Sequence, residues 1–135
     1  MKKLLKMGIC IMMAAVVLSG CGGGNSKTET AVYEGEINGV KVSNTIDYSG
    51  DRVLKQTSVS EMNFKDLGIT KDLMEQTVAQ YKKLYDIKGV TYKADITDDT
   101  ISETTVIDYE NADFDALKTA KLITSTKEDG KILYV

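Results

Sequence analysis

Five carboxylates lie close together toward the C-terminus of the sequence: Glu103, Asp108, Glu110, Asp113 and Asp115. A pair of carboxylates is what a glycosidase needs, one as the acid and the other as the nucleophile or base. On a regular strand, however, Glu103 and Asp108 fall on opposite faces, and the other three lie at the entrance of a predicted helix, where the helix dipole stabilises acids. We therefore interpret the cluster as solvated charges and helix capping, with a carboxylate-dependent hydrolase as the alternative function.

A calcium site is a second chemistry that the acidic side chains suggest. The candidate ligands are two groups, Asp95 with Asp98 and Asp99, and Asp113 with Asp115. They offer the hard oxygen atoms that calcium prefers, but the EF-hand pattern with its central Gly and distal Glu is absent from the sequence. Turn chemistry explains the Asp98-Asp99 pair. The sequence therefore predicts no metal site, no cofactor and no catalytic residue.

Five tyrosines could form an aromatic platform for a ligand. Tyr48, Tyr92 and Tyr109 share the phase of apolar positions on predicted strands, whereas Tyr81 and Tyr85 lie on the apolar stripe of a predicted helix. Aromatic rings with polar tips suit contacts with glycans or peptides. They suit a hydrophobic core equally well, and we favour the core for these residues.

The composition excludes several classes of function. The 135 residues include no His, so His-dependent nucleophile systems and His-based metal sites are excluded. Residues 1–20 contain three Lys and no acid, which leaves 14 basic and 20 acidic residues in positions 21–135, a formal charge of −6. An acidic domain of this kind is a poor partner for nucleic acid or for an anionic lipid surface, and we predict no nucleic-acid binding.

The N-terminal segment has the pattern of a secretory signal peptide. Residues 1–6 carry the three lysines, and residues 7–18 are apolar apart from one Gly. A membrane-spanning helix needs about 20 predominantly apolar residues, so this stretch is too short to be one.

The residues that follow resemble the lipobox of bacterial lipoproteins: Leu18, Ser19, Gly20 and Cys21. The resemblance implies that the lipoprotein maturation machinery attaches a diacylglyceryl group to the Cys21 sulfur and removes residues 1–20. Two acyl chains give a durable anchor, whereas one alone binds only marginally. Cys10 lies in the discarded segment, so the mature chain has no disulfide partner for Cys21. We therefore predict a protein anchored in the cell membrane on its extracytoplasmic face.

Residues 21–31 predict a flexible tether, because Gly22, Gly23 and Gly24 are followed by polar residues. A single domain is predicted from residue 32 to residue 135. Its first part alternates as strands do, over residues 32–37, 40–48 and 52–62. Asn38-Gly39 is a strong signal for a two-residue hairpin, and Asn44 interrupts the apolar face of the second strand.

A helix follows, with Thr70 as its N-cap and Asp72 in its first turn. Its apolar stripe is formed by four residues flanked by Leu73 and Leu84, namely Met74, Val78, Tyr81 and Tyr85. Two further strands are predicted over residues 90–96 and 101–109. A second helix is predicted to begin near Asn111 and to carry Phe114, Leu117 and residues 120–123, and a last strand over residues 131–135.

These elements predict an α+β domain, a mostly antiparallel twisted sheet with one main helix and a short second helix packed on one face. The ordered motifs resemble the YehR-like lipoprotein family from the lipobox to the last strand. They are residues 86–92 (DIKGVTY), Asp99, Glu103, residues 107–109 (IDY) and Ala112-Asp113. The resemblance implies small bacterial lipoproteins with an α+β domain and no family active-site residues.

The family resemblance further implies a C-terminal amphipathic helix after the strand that matches residues 131–135. This sequence ends at Val135 instead, as a fragment, a truncated product or a short family member would. We therefore expect uncovered apolar surface on the sheet. As function we predict a lipid-anchored, non-enzymatic envelope protein that binds an unidentified partner or ligand, and as the alternative a hydrolase of envelope glycans.

Overall fold

The computed structural model describes residues 27–50 and 52–123. Five strands and two helices follow one another along this part of the chain: β1 Glu29–Ile37, β2 Val40–Ser49, β3 Arg52–Asn63, α1 Lys71–Leu84, β4 Val90–Ile96, β5 Thr100–Asp108 and α2 Phe114–Thr119. The predicted signal peptide, Cys21 with its lipobox, and the predicted strand at residues 131–135 lie outside the described residues. The expectation about the C-terminal helix of the family, which concerns the chain after residues 131–135, also falls outside them.

All five strands form one antiparallel sheet in the order β1-β2-β3-β5-β4. β4 is an edge strand, and β5 returns beside it to pair with β3. Side chains of both helices pack on the same face of the sheet, here called the inner face. The predicted α+β architecture, with helices on one face of an antiparallel sheet, is confirmed.

The β1–β2 hairpin has the predicted turn at Asn38 and Gly39. Their φ angles are 52° and 80°, as a tight turn with two left-handed residues requires. β1 begins at Glu29, three residues before the predicted boundary at Val32. The folded domain therefore starts within the segment predicted to be tether, because residues 29–31 pair with β2 from Ile46 to Tyr48.

Two separate hydrophobic clusters cover the inner face, one toward each end of the strands. The first cluster joins β3, β5 and α2 through Val53, Ile107, Tyr109, Leu117 and Ile123. The second cluster lies under α1 and consists of Phe64, Met74, Val78 and Ile101. A bulge opposite Asp47 and Tyr48 shifts the phase of β3, which allows Val53 to reach the first cluster.

The main helix is close to its predicted form. Thr70 is its N-cap, and its hydroxyl accepts a hydrogen bond from the Leu73 backbone N–H at 3.3 Å. Met74 and Val78 are buried as predicted. The flanking residues are not, since Leu73 and Leu84 are about half exposed.

The second helix is shorter than predicted. It begins at Phe114 with Asp113 as its N-cap, and not near Asn111, because the Asp113 carboxylate accepts hydrogen bonds from two backbone N–H groups. It ends at Thr119, and Lys121 beyond it has a φ of 58°. Ile123 therefore reaches the first cluster from the segment after the helix and not from the helix itself. Neither α1 nor α2, the helices of the described residues, is long and apolar enough to cross a membrane.

Candidate functional site

A polar band crosses the inner face between the two hydrophobic clusters. On β5 the inner positions are Ile101, Glu103, Thr105 and Ile107, of which only the two isoleucines belong to the clusters. The β3 neighbours of the middle pair are serines, since Ser60 is the register partner of Glu103 and Ser58 is that of Thr105. An inner face that would ordinarily be apolar is thus interrupted by carboxylate and hydroxyl groups.

Hydrogen bonds continue the polar band across β3 to β2. Ser58 Oγ donates to Asn44 Oδ1, and Gln56 Nε2 donates to Ser58 Oγ at 3.3 Å. The Tyr109 hydroxyl donates to Gln56 Oε1 at 2.9 Å, which joins the band to the first cluster. Among the described residues, no buried side-chain nitrogen or oxygen lacks a hydrogen-bond partner. The polar groups are therefore satisfied where they are buried.

Three tyrosine rings come together over the polar band. Tyr81 lies in the last turn of α1 and Tyr85 is the C-cap of that helix. Their rings stack with centroids 5.6 Å apart and planes 4° from parallel. The ring of Tyr92 on β4 is roughly perpendicular to both, with its centroid 6.2 Å from that of Tyr81 and 5.3 Å from that of Tyr85. These are the spacings at which aromatic side chains attract one another, so the rings form one contiguous wall.

Glu103 lies beneath this wall. The Tyr92 hydroxyl donates a hydrogen bond to Glu103 Oε1. Burial, reinforced by this bond to a carboxylate, raises the pKa of Tyr92. Burial also raises the pKa of Tyr85, with smaller contributions from Tyr81 and Glu103. The interpretation of Glu103 as a solvated charge was wrong, because the side chain is only partly accessible and faces the inner side of the sheet.

The concavity between these groups, here called the tyrosine pocket, has a volume of about 230 Å³. Its lining consists of Ser58, Ser60, Tyr81, Tyr85, Tyr92 and Glu103, together with Val42, Val59 and Thr105. Two larger depressions, of about 420 Å³ each, lie near the β1–β2 hairpin and at the strand ends. Both are lined by Lys41 and Glu61, which are register partners of opposite charge. Carboxylates outnumber Lys41 in both, since one lining also contains Asp95 and the other Glu34 and Glu36. Within the described residues, neither lining contains an aromatic ring, which makes the tyrosine pocket the stronger candidate for a ligand.

The other two predicted tyrosines lie elsewhere. Tyr109 is 5 % exposed within the first cluster, and its ring centroid is 6.0 Å from that of Phe114. Tyr48 is the register partner of Glu29 at the far end of β2, and its pKa is raised mainly by a hydrogen bond to Glu29. Core packing therefore describes Tyr109 and also Tyr92, which packs against the second cluster. The rings of Tyr81, Tyr85 and Tyr92 also line the tyrosine pocket.

The acidic cluster from Glu103 to Asp115 does not form one site. Asp108 lies on the outer face, where its carboxylate accepts hydrogen bonds from the Asn111 side chain and the Glu110 backbone N–H. The Asn111 bond is the main cause of the lowered pKa of Asp108. Asp113 caps α2, in agreement with the predicted capping role. Among the residues that the structure describes, Glu103 is the only carboxylate in the lining of the tyrosine pocket.

The acidic residues considered as calcium ligands have other partners. Asp98 pairs with Lys71 at 2.9 Å and Asp99 with Lys65 at 2.8 Å, both at exposed positions. The Lys71 ammonium lowers the pKa of Asp98. Asp95 is the register partner of Ser102, and both have the phase of the outer face. Over residues 27–50 and 52–123, no three acidic or Cys side chains are arranged to hold a metal ion.

Sequence reasoning missed Ser58 and Ser60 as members of the site. The sequence signal is polar residues at positions with the phase of apolar ones. On β5, Glu103 and Thr105 have the same phase as Ile101 and Ile107. On β3, residues 57–60 (TSVS) are polar on the inner side. The interruption of β2 by Asn44 was noticed, but its meaning depended on the register with Ser58.

The fold and the site define a small α+β domain with an open antiparallel sheet and a pocket on its helix-covered face. A family model described as "Protein of unknown function (DUF1307)" matches residues 29–133, and the chain belongs to this family. The chain is 33% identical over 126 residues to uncharacterized lipoprotein YehR of Escherichia coli. The matched region covers 90% of this chain and 80% of that protein. It is 36% identical over 112 residues to uncharacterized lipoprotein Lmo0207 of Listeria monocytogenes, covering 79% of this chain and 71% of that protein.

The fold is also found in a solved relative. The NMR structure of E. coli YehR superposes with a TM-score of 0.68 at 32% sequence identity and covers 82% of each chain. The predicted resemblance to the YehR-like lipoproteins is therefore confirmed, and so is the α+β fold.

Proposed function

We propose that this protein is a lipid-anchored envelope protein whose domain binds a small ligand, without catalysis, outside the cytoplasmic membrane. One observation carries the binding role. The tyrosine pocket brings a partly buried carboxylate, hydroxyl groups and three aromatic rings together on a face that packing alone would make apolar.

The lipobox-like residues and the lipoprotein relatives support the anchor. Since β1 begins at Glu29, eight peptide bonds connect Cys21 to the folded domain. Even a fully extended chain of that length spans at most about 30 Å. An acyl anchor at Cys21 would therefore keep the start of the folded domain near the bilayer surface.

The pocket chemistry favours recognition over hydrolysis. A glycosidase requires a second carboxylate roughly 5 to 10 Å from the first. Within the described part of the chain, the lining of the tyrosine pocket contains Glu103 and no other acid. Aromatic rings combined with a few polar groups are instead the usual composition of a binding site.

The anchor is tested by metabolic labelling with a radioactive fatty acid and by membrane fractionation. Cys21→Ala should abolish the label and release the protein from the membrane fraction, because the thioether cannot form. Cys10→Ala is the matched control, and it should leave labelling and fractionation unchanged. Labelled, membrane-bound Cys21→Ala protein would contradict the proposed anchor.

The binding role is tested by NMR with a panel of neutral saccharides, short peptides and organic amines. We expect at least one class to shift the backbone amides of the tyrosine pocket. Ser60→Leu, which adds bulk inside the pocket, should abolish this response. Thr104→Leu is the control, because Thr104 is next to Glu103 on β5 but has the phase of the outer face. If no compound shifts the pocket amides, the proposed binding role is wrong.

A further inference from the structure

Within residues 27–50 and 52–123, the Glu103 carboxylate forms no ion pair. It accepts one hydrogen bond from the Tyr92 hydroxyl. The ion pairs found among the described residues join Lys65 to Asp99 and Lys71 to Asp98, and neither involves Glu103. Within that same part of the chain, no Lys or Arg lines the tyrosine pocket. A partly desolvated carboxylate of this kind gains from an opposite charge more than an exposed one does.

The hydrogen-bonding groups around Glu103 favour a ligand that donates. An ionised carboxylate has about four acceptor positions, and Tyr92 occupies one of them. Ser58 donates its only hydroxyl hydrogen to Asn44, so toward the pocket its oxygen can only accept. At Glu103 and Ser58, the complementary ligand group therefore carries N–H or O–H donors.

The aromatic wall favours a positively charged ligand. Ring faces attract cations that lie within about 6 Å of the ring centroid. The three rings lie 5.3 to 6.2 Å apart between centroids and all line the tyrosine pocket, so a cation bound in the pocket is near aromatic rings. The formal charge of −6 on residues 21–135 acts in the same direction, because it attracts cations toward the domain.

The size of the pocket restricts the ligand to a compact group. Its volume of about 230 Å³ is below the range of roughly 300 to 1,000 Å³ that is usual for drug-sized ligands. We propose that the tyrosine pocket binds a primary ammonium group carried on a short carbon chain. The ammonium donates to Glu103 and Ser58, and the carbon chain contacts the tyrosine rings. This inference rests on the proposed binding function and names its ligand class.

The test measures binding to the protein as purified from expressing bacteria, in detergent micelles. The probes are n-butylammonium and the neutral 1-butanol, which has the same carbon chain. We expect n-butylammonium to shift the pocket amides and 1-butanol to bind at least roughly tenfold more weakly, because a charge-assisted hydrogen bond is lost. Equal binding of the two probes would overturn the inference.

Two variants with the same change of charge separate the carboxylate in the pocket from the overall acidity. Glu103→Gln should weaken n-butylammonium binding about tenfold or more, while its amide oxygen can still accept from Tyr92. Glu75→Gln, at an exposed position of α1, should leave the affinity within about twofold. Equal affinities of the two variants would overturn the role of Glu103. If Glu103→Gln does not fold, the inference is tested by comparing the binding of n-butylammonium and 1-butanol to the unaltered protein.

Primary ammonium groups occur on free amines and on ethanolamine lipid headgroups. Nanodiscs of phosphatidylcholine, with and without phosphatidylethanolamine, distinguish these sources. A response to n-butylammonium alone supports a free amine, and an additional response to phosphatidylethanolamine supports the headgroup. If neither ammonium probe shifts the pocket amides, this inference is wrong. If saccharides or peptides still shift them, the proposed binding function stands. If no compound shifts them, both the ligand class and the binding function are wrong.

Discussion

Among the glycines of residues 27–50 and 52–123, Gly89 is the one where an added carbon atom should be least tolerated. Its φ of +83° is in the left-handed region that favours glycine. A Cβ at this position would lie 2.6 Å from the Ala112 Cα and 2.8 Å from the Ala112 N, both backbone atoms. The neighbouring hydrogen bonds hold the two segments together, since Asp108 N donates to Gly89 O at 2.8 Å and Asp113 N donates to Lys88 O at 3.2 Å. The contact cannot be relieved by rotating a side chain.

The expected cost of Gly89→Ala has two parts. An L-residue in the left-handed region costs about 1 to 2 kcal/mol. Forcing extra volume against a packed neighbour costs about 1 to 3 kcal/mol more. We therefore expect the free energy of unfolding to fall by roughly 2 to 5 kcal/mol, which is a large part of the total stability of a domain of this size.

A matched control separates the two parts. Gly39 has a similar φ of +80°, but nothing lies within 4 Å of a Cβ built there. Gly39→Ala should therefore show the conformational cost alone, and any effect of the substitution on the unfolded chain should be similar in both variants. Urea unfolding monitored by circular dichroism measures both values. If Gly89→Ala is no more destabilising than Gly39→Ala, the close approach of Ala112 does not determine the conformation at this position.

Three further outcomes are expected from the same kind of unfolding measurement. Lys121→Gly should raise the free energy of unfolding by about 1 kcal/mol, because Lys121 has a φ of 58° where glycine is preferred; a loss of stability would contradict this. Asp113→Ala should lower it by about 1 kcal/mol through loss of the α2 cap, whereas Asp113→Asn should retain most of it. Burial raises the pKa of Tyr109 to about 12, so stability should be complete below pH 10 and fall as the pH rises from 10 to 12. Tyr109→Phe should make that fall smaller, and an unchanged pH profile would contradict the assignment.

Much of the local structure could be predicted from short stretches of sequence. The Asn38-Gly39 turn, the Thr70 cap and the buried Met74 and Val78 follow from rules that involve residues at most a few positions apart. The errors lie at element boundaries. Strand pairing with β2 extended β1 to Glu29, and α2 was reduced to six residues beyond its Asp113 cap.

The candidate site could be predicted only in part. Tyr81, Tyr85 and Tyr92 were noted as aromatic residues in suitable phases, but their meeting depends on how α1 packs beside β4. Glu103 was interpreted as a solvated charge because it falls on the opposite strand face from Asp108, so no carboxylate pair was expected. Its partly buried position is a consequence of β5 lying between β3 and β4, with Ser60 on one side and Ala94 on the other.

The sequence by itself determined the class of the domain, the family and the predicted lipid attachment at Cys21, because each is encoded in contiguous motifs or in the period of apolar residues. Only the tertiary structure decided which polar groups form a pocket. The alternation along each strand indicates that Glu103 and Ser60 have the same phase as apolar neighbours. Only the pairing of β3 with β5 shows that these two residues are adjacent. The packing of α1 then places two tyrosine rings against Tyr92 on β4. Contacts between residues far apart in the chain arise from the balance of packing over the whole sheet, which no local pattern contains.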